Sequence, residues 1–396
     1  MNIKNAKFAI IHDWFLSKSL GGSEKVTLLI DKLLIKNYST PGLFSLVTNK
    51  SFQEKHNLKN RLVNTSFIQN LPFGKRYVQN YLPLLPFAVE QLDLNEYDYV
   101  ISSSHAFAKG VITSPDQLHI SYVHTPIRYA WDQMSTYLKQ TNFTKLGLEI
   151  PLRYILYKLR EWDFSSSQRI DYLISNSNFT AKRIKKYWGR ESEVINPPVD
   201  IRRFTFNNNR GDYYLTVNRL VPNKRVDILV RAFNNLRLPL IIIGDGPERL
   251  KLKKIANSNI TFISNSSNFE VENYMSRCRA FVYAGIEDFG IAPLEAMASG
   301  APVIALAKGG LLDTVNCVTK PIKKEISTGI LFEKQTPKDV EDVVAWFEDN
   351  KIWKKFNPQD LNLYTHKYSK ENFENKFKNF IEKSWYKFHK NKFKKK

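Results

Sequence analysis

Short apolar runs alternate along the whole chain with stretches of helical spacing, the pattern of parallel α/β architecture. In the first half Phe8–Ile11, Tyr99–Ser102, Ile120–Val123 and Tyr172–Ser175 read as strands that end in polar or glycine-bearing turns. Gly21-Gly22 precedes a helical pattern that opens Ser-Glu-Lys-Val, with Ser23 placed to cap it. The pattern breaks at Asn196-Pro197-Pro198-Val199-Asp200 and again in the polar stretch from Asn207 to Asp212. Two prolines and a hydrophilic run between α/β halves read as an interdomain linker. The second half restarts with Tyr213–Val217 and continues through Pro239–Gly244, Ile260–Ile263, Ala280–Tyr283 and Pro302–Leu306. The expected organisation is one doubly wound domain over residues 1–196, a linker over 197–212, a second domain over 213–370 and a C-terminal helix over 371–396. Two such domains facing each other would bind ligands in a cleft at the carboxyl ends of their sheets.

Composition narrows the classes. The chain has 396 residues, 43% of them hydrophobic and 24% charged, which is enough apolar material for two globular domains. Cys278 and Cys317 are its only cysteines, a count that argues against a disulfide framework and fits a reducing cytoplasm. The N-terminal apolar run is too short for a signal peptide, and no stretch approaches the roughly 20 apolar residues of a spanning helix. Lys and Arg number 59 against 38 for Asp and Glu, a net +21 that implies an anionic partner. Residues 376–396 carry nine lysines against one acid, Glu382. Phe373, Phe377, Phe380, Ile381, Trp385 and Phe388 recur there at helical spacing. The expectation is that Phe373 to Ile381 pack back on the fold. From Trp385 onward a basic, aromatic helix suits an anionic membrane surface. Tyr154 to Trp162, with Lys158 and Arg160, is a second aromatic and basic stretch.

The most informative chemistry lies in Glu287-Asp-Phe-Gly-Ile-Ala-Pro-Leu-Glu295, two carboxylates eight residues apart across a glycine turn that opens a helix. A helix start at Gly290-Ile291 offers unpaired N–H groups and the positive end of the dipole, a seat for phosphate. Glu287 lies just before that seat and Glu295 about one turn into the helix. Phosphate with a hydroxyl-binding carboxylate on each side fits a sugar nucleotide, whose diphosphate separates sugar from ribose. Arg219 and Lys224 stand five residues apart in the turn after the first strand of the second half. Two cations there can grip a diphosphate and offset its charge as it leaves. In the first half His12-Asp13-Trp14 closes a strand, and Gly21-Gly22 permits close backbone approach to a ligand. His124 stands before Pro126 at another strand end, within a segment from His119 to Asp132 that also holds Arg128. His105 reads equally as a site residue and as a hydrogen-bonded turn histidine; His119, within a strand, reads as structural. There is no Asp-x-Asp pair, no Cys/His metal cluster, no G-x-S-x-G and no Walker A pattern.

Glu287 and Glu295 resemble the E-x7-E signature of retaining glycosyltransferases of the GT-B fold. Arg219-Leu-Val-Pro-Asn-Lys224 resembles the R-L-x-x-x-K element that accompanies it in glycosyltransferase family four, with Arg225 where that family often has glycine. Ile243-Gly-Asp-Gly-Pro-Glu248 is similar to the family's strand-end G-x-G-P turn. The segment around His124 resembles one from bacterial surface-polysaccharide glycosyltransferases, many of them mannosyltransferases. The resemblance runs from His12 to about Ile304. It implies a GT-B fold of two Rossmann-like domains and a metal-independent, retaining hexosyl transfer without a cofactor. Catalytic roles fall to His124, Arg219, Lys224 and Glu287, and donor binding to Gly21, Gly22, Gly290, Ile291 and Glu295. Asp13 and Arg128 fall on the acceptor side. The donor it implies is GDP- or UDP-linked, mannose first. The acceptor is a lipid-linked glycan, met by a peripheral protein at the inner face of the cell membrane. Two alternatives stand beside this reading: an epimerase or hydrolase of sugar nucleotides on the same fold, and a basic nucleic-acid-binding protein. The last would need basic residues interleaved with exposed aromatics on one face, which only the tail suggests, so nucleic acid is not an expected partner.

Overall fold

The computed structural model describes residues 2–16, 21–56, 58, 61–140, 147–318 and 326–393, the side chains of 140 and 391–393 excepted. The chain forms two compact units, one of Met1–Pro197 with Glu374–Lys396 and the other of Pro198–Phe373.

The first unit is built on a seven-stranded parallel sheet. Its strands are β1 (Phe8–Phe15), β2 (Gly42–Thr48), β3 (Val63–Thr65), β4 (Tyr99–Ser104), β5 (Leu118–Val123), β6 (Tyr172–Ser175) and β7 (Glu193–Val194). Their spatial order is β3-β2-β1-β4-β5-β6-β7. The crossovers include helix α1 (Gly22–Asn37) after β1 and helix α2 (Glu149–Gln168) before β6. β1, β4 and β5 are buried along nearly their whole length, as central strands covered on both faces must be.

The second unit has a six-stranded parallel sheet in the order β10-β9-β8-β11-β12-β13. These strands are β8 (Tyr214–Val217), β9 (Leu240–Ile243), β10 (Ile260–Ile263), β11 (Ala280–Tyr283), β12 (Val303–Leu306) and β13 (Gly329–Phe332). Helix α3 (Val226–Leu236) follows β8 and buries Val226, Leu229, Val230 and Phe233 in one cluster with Val340, Val344 and Phe347. Helix α4 (Ile291–Ala298) follows β11. In each sheet the strand order turns back between the first strand and its later neighbour, β1/β4 and β8/β11. At such a switch point the connecting segments leave in opposite directions and a crevice opens at the carboxyl ends.

All nine strands read from the sequence are present, but β2, β3, β7 and β13 escaped it. β3 and β7 have only three and two residues, too few to show a period. β1 runs on to Phe15, so His12 and Asp13 lie within the strand.

The expected linker over 197–212 belongs largely to the second unit. Val199 and Phe204 are buried in its core, and the Val199 N–H donates to the Tyr368 carbonyl at 2.9 Å. The C-terminal helix α5 (Lys370–Phe393) is likewise not a segment of its own. From Glu374 onward it counts with the first unit, where Phe377, Phe380, Ile381 and Trp385 are buried. The Trp385 ring stacks on Tyr99 at 5.7 Å, and Ser384 Oγ lies 2.8 Å from the Tyr99 hydroxyl. Packing back therefore extends one turn further than expected, and only residues after Trp385 remain for a surface role; Tyr386 is exposed.

Candidate active site

At the switch point of the first unit, β1 supplies His12 and Asp13, β4 ends in Ser103 and Ser104 just before His105, and β5 ends just before His124. Asp13 is fully buried, and its carboxylate takes backbone N–H groups of four successive residues. Oδ2 accepts from His105 at 2.7 Å and Ala106 at 3.3 Å; Oδ1 accepts from Phe107 and, at 2.9 Å, from Ala108. The His105 ring faces it too, with Nδ1 3.1 Å from Oδ2. Burial alone would raise the Asp13 pKa, yet the neighbouring His105 and His12 and these N–H donors hold it below the ordinary value. Asp13, expected on the acceptor side, has both oxygens bonded by the turn after β4. Among the described residues, His12, Asp13 and His105 bring potential metal-ligating atoms within 4.8 Å of one another. The amides that fill Asp13 account for that carboxylate without an ion.

His12 Nδ1 lies 2.8 Å from the Ser103 carbonyl, which can only accept, so Nδ1 carries the proton and Nε2 the lone pair. Nε2 is buried and without a hydrogen-bond partner in the structure. A hydroxyl chain runs from Thr27 Oγ1 to Ser103 Oγ (2.7 Å) and on to His124 Nε2 (2.8 Å). Burial, helped by repulsion between the rings, lowers the pKa of His12 and takes that of His124 well below 6.5. Both are therefore neutral near pH 7 and suited to hydrogen-bond hydroxyls. His119 is a buried strand residue with Nε2 2.9 Å from Ser102 Oγ, and burial with the nearby Arg169 and Arg190 pushes its pKa down to about 3.

Sequence reasoning missed Arg183. Its guanidinium donates to Thr125 Oγ1 at 2.6 Å and Asp132 Oδ1 at 2.8 Å, pinning the segment after His124. Arg128 lies half-buried within that segment. Gly21 is the N-cap of α1, which starts at Gly22, so Ser23 lies in the first turn instead of capping it.

In the second unit the predicted helix start is observed. Gly290 caps α4 in the left-handed region, φ 97°, and a Cβ there would meet Leu311 at 2.6 Å. The first-turn N–H groups of α4 lack helical partners, and no acidic side chain occupies that turn. Ile291 and Glu295 are half-buried on the helix. Glu287 precedes it, and its Oε1 accepts from both Lys224 Nζ and the Tyr283 hydroxyl. Lys224 and Glu287, 63 positions apart, are thus one ion pair, while Arg219 is exposed in the same turn as Lys224. Tyr283 ends β11, and nothing local in the sequence singled it out.

The backbone beneath is fixed by close approaches. Gly244 and Gly246 sit at φ 141° and 157°, and a Cβ on either would collide with the carbonyls of Asn218 and Leu220. The G-x-G-P turn therefore lets the Arg219 turn dock, with Leu220 N–H donating to the Asp245 carbonyl at 2.8 Å. Gly310 N–H donates to the Glu287 carbonyl at 2.8 Å, a support the sequence did not reveal. Arg225 adopts φ 52° and ψ 39°, the left-handed conformation that glycine takes up without strain, and pairs with Asp227 at 3.0 Å.

Residues 200–368 match the family model described as glycosyl transferases group 1. An alpha-1,3/1,6-mannosyltransferase, ALG2 of Saccharomyces cerevisiae, is 27% identical over 217 residues, 41% of this chain and 43% of the relative. A GDP-mannose-dependent alpha-(1-6)-phosphatidylinositol monomannoside mannosyltransferase of Mycobacterium tuberculosis is 28% identical over 201 residues, 43% and 50% of the two chains. The chain thus spans about half the length of these curated relatives or less. Among solved structures, Anabaena Alr3699/HepE in complex with UDP aligns over 95% of this chain and 100% of its own, with TM-score 0.66 and 15% identity. Sucrose-phosphate synthase of Thermosynechococcus elongatus aligns over 96% and 99%, with TM-score 0.69 and 15% identity. At that identity the likeness is one of fold. The chain has a GT-B fold that resembles family four, and its residues 200–368 match the glycosyl transferases group 1 family.

Proposed function

We propose that the protein is a retaining hexosyltransferase that moves a sugar from a nucleoside diphosphate sugar to a glycan acceptor. The observation that carries this reading is the Lys224–Glu287–Tyr283 constellation beside the open N-terminus of α4. The diphosphate would lie against the α4 amides, with Arg219 and Lys224 offsetting the charge it gains on leaving. Glu287 would hold sugar hydroxyls and Glu295 the ribose. Neutral His124 would hydrogen-bond the sugar. With no carboxylate assigned as nucleophile, attack on the face the diphosphate leaves accounts for retention, and the departing phosphate takes the acceptor proton. GDP-mannose is the lead donor because matched relatives are named as mannosyltransferases, one of them GDP-mannose-dependent. UDP-hexoses follow, since a fold neighbour was solved with UDP.

Calorimetry with nucleotide alone tests the assignment. Glu295→Ala is expected to weaken nucleotide binding about tenfold, the scale of one charge-assisted hydrogen bond. Glu287→Ala should leave that affinity nearly intact and lose turnover. Equal losses of affinity in both variants would refute the split. Free sugar or an epimer formed without any acceptor would favour the hydrolase or epimerase reading.

We further propose a lipid-linked acceptor at an anionic membrane surface. No described helix is long and apolar enough to cross a membrane. Support comes from the lysines after Trp385, each contributing about 1 kcal/mol near anionic lipid. The second stretch is divided: Tyr154 and Tyr157 are exposed, but Trp162 donates to Glu90 and Arg160 to the Ala130 carbonyl. Deleting residues 390–396 spares Trp385 and is expected to release the protein from anionic vesicles in flotation at low salt. Undiminished flotation of the truncated chain would remove the tail as the anchor.

A further inference from the structure

Helix α2 turns a stripe of every third or fourth residue inward: Leu152, Leu156, Leu159 and then Asp163. The last position of this apolar stripe is thus a carboxylate, and it has no exposure at all. We infer that Asp163 is a positioning residue for sugar transfer, holding the segments that carry His105 and His124 in fixed relation to each other; this rests on the glycosyl-transfer reading above.

The carboxylate is fully engaged. Oδ1 lies 2.7 Å from Lys109 Nζ. Oδ2 accepts the indole N–H of Trp131 at 2.8 Å and that of Trp188 at 2.7 Å. Lys109 is buried as well, with Nζ 4.6 Å from the centre of the Trp162 ring and 5.2 Å from that of Trp188.

These partners come from three separate segments. Lys109 directly follows the residues from His105 to Ala108 whose amides bind Asp13. Trp131 belongs to the segment that runs on from His124. Trp188 ends the helix Asn178–Trp188, the one that carries Arg183. One turn before Asp163 on α2, Arg160 donates to the Ala130 carbonyl at 2.9 Å, so α2 grips the His124 segment at two adjacent residues. The two strand ends are therefore tied through two carboxylates. Asp13 gathers the amides up to Ala108, and Asp163 joins the next residue, Lys109, to Trp131.

Stability gives little reason for a charge here. A buried ion pair recovers in attraction roughly what its desolvation costs, and an apolar pair of similar volume is often as stable. A leucine at position 163 would complete the stripe. What the carboxylate adds is direction, because hydrogen bonds to a charged oxygen set both the distance and the angle of their donors. Under the proposed function His124 hydrogen-bonds the sugar, and a misplacement of about 1 Å at a reacting centre costs on the order of 10²-fold in rate.

The test compares two substitutions that remove the same kind of bond from the same oxygen. Trp131→Phe keeps a ring against Tyr187, on which Trp131 stacks at 4.6 Å, but releases the segment after His124. Trp188→Phe releases the end of a helix to which no sugar contact is assigned. A third variant, Lys109→Met with Asp163→Leu, replaces the ion pair by apolar volume. Each full-length chain is assayed for transfer of radiolabelled sugar from GDP-mannose and UDP-glucose to a membrane glycolipid extract. Thermal midpoints and calorimetric affinities for GDP and UDP are read in parallel. Trp131→Phe and the double variant are expected to lose on the order of 10²-fold in kcat while nucleotide affinity stays within about twofold. Trp188→Phe should hold kcat within about threefold despite a comparable fall in thermal midpoint. Equal kcat losses in the two tryptophan variants reduce Asp163 to a structural residue and overturn the inference. Retained transfer in Trp131→Phe or in a folded double variant overturns it too, and leaves the transfer reading standing. Should the double variant fail to fold, the tryptophan pair decides alone. A wild-type chain that binds nucleotide but transfers sugar from neither donor defeats the transfer reading, and the positioning role with it.

Discussion

Lys224→Ala is expected to lower kcat by on the order of 10²-fold or more, the scale seen when one preorganised donor to a developing charge is removed. The structure sharpens the expectation. Lys224 and Glu287 are about four-fifths buried and share one ion pair, so under the proposed function the lysine would both face the leaving group and hold the carboxylate. Steady-state kinetics on Lys224→Ala, Glu287→Ala and the double variant should show strong non-additivity, the double losing little more than the worse single. Losses that simply multiply would mean the residues act apart and would sink the shared role. Arg219→Ala should cost on the same order through the phosphate alone. Because the proposed diphosphate seat would supply three cationic or dipolar elements, activity should persist in EDTA. A strict requirement for a divalent metal would overturn this account of the leaving group.

Asp13→Ala should destabilise the first unit by about 3–5 kcal/mol, which lowers its thermal midpoint by roughly 6–20 °C for a unit of this size. Four N–H groups, from His105 to Ala108, converge on a side chain with no exposure, and none of them can turn to water once it is gone. The loss differs in kind from that of Lys224, which spares the fold. Thermal unfolding followed by circular dichroism decides it. A shift below about 3 °C combined with a raised acceptor KM would return Asp13 to the acceptor side and defeat the structural role.

The sequence by itself determined the features that depend on near neighbours. Apolar runs placed the strands from Phe8, Tyr99 and Ile120 through Pro302. The glycine turn before Ile291 located the start of α4, because a cap and its first turn are encoded within a few residues. Arg219 and Lys224 came from one loop and could be read together. C-terminal aromatics at helical spacing gave the buried face of α5, short by one turn. Tertiary structure decided what those residues do to one another. Asp13 reads as a site carboxylate until strand order sets β1 beside β4 and delivers amides 92 to 95 positions away. Lys224 and Glu287 carry separate roles in the sequence; pairing of β8 with β11 makes them partners. Arg183, Tyr283 and Gly310 leave no local signature at all. The physical reason is the same in each case. Alternation and spacing record which face of its own element a residue occupies, whereas the order of strands in a parallel sheet is fixed by packing of the whole chain, and that order chooses its neighbours.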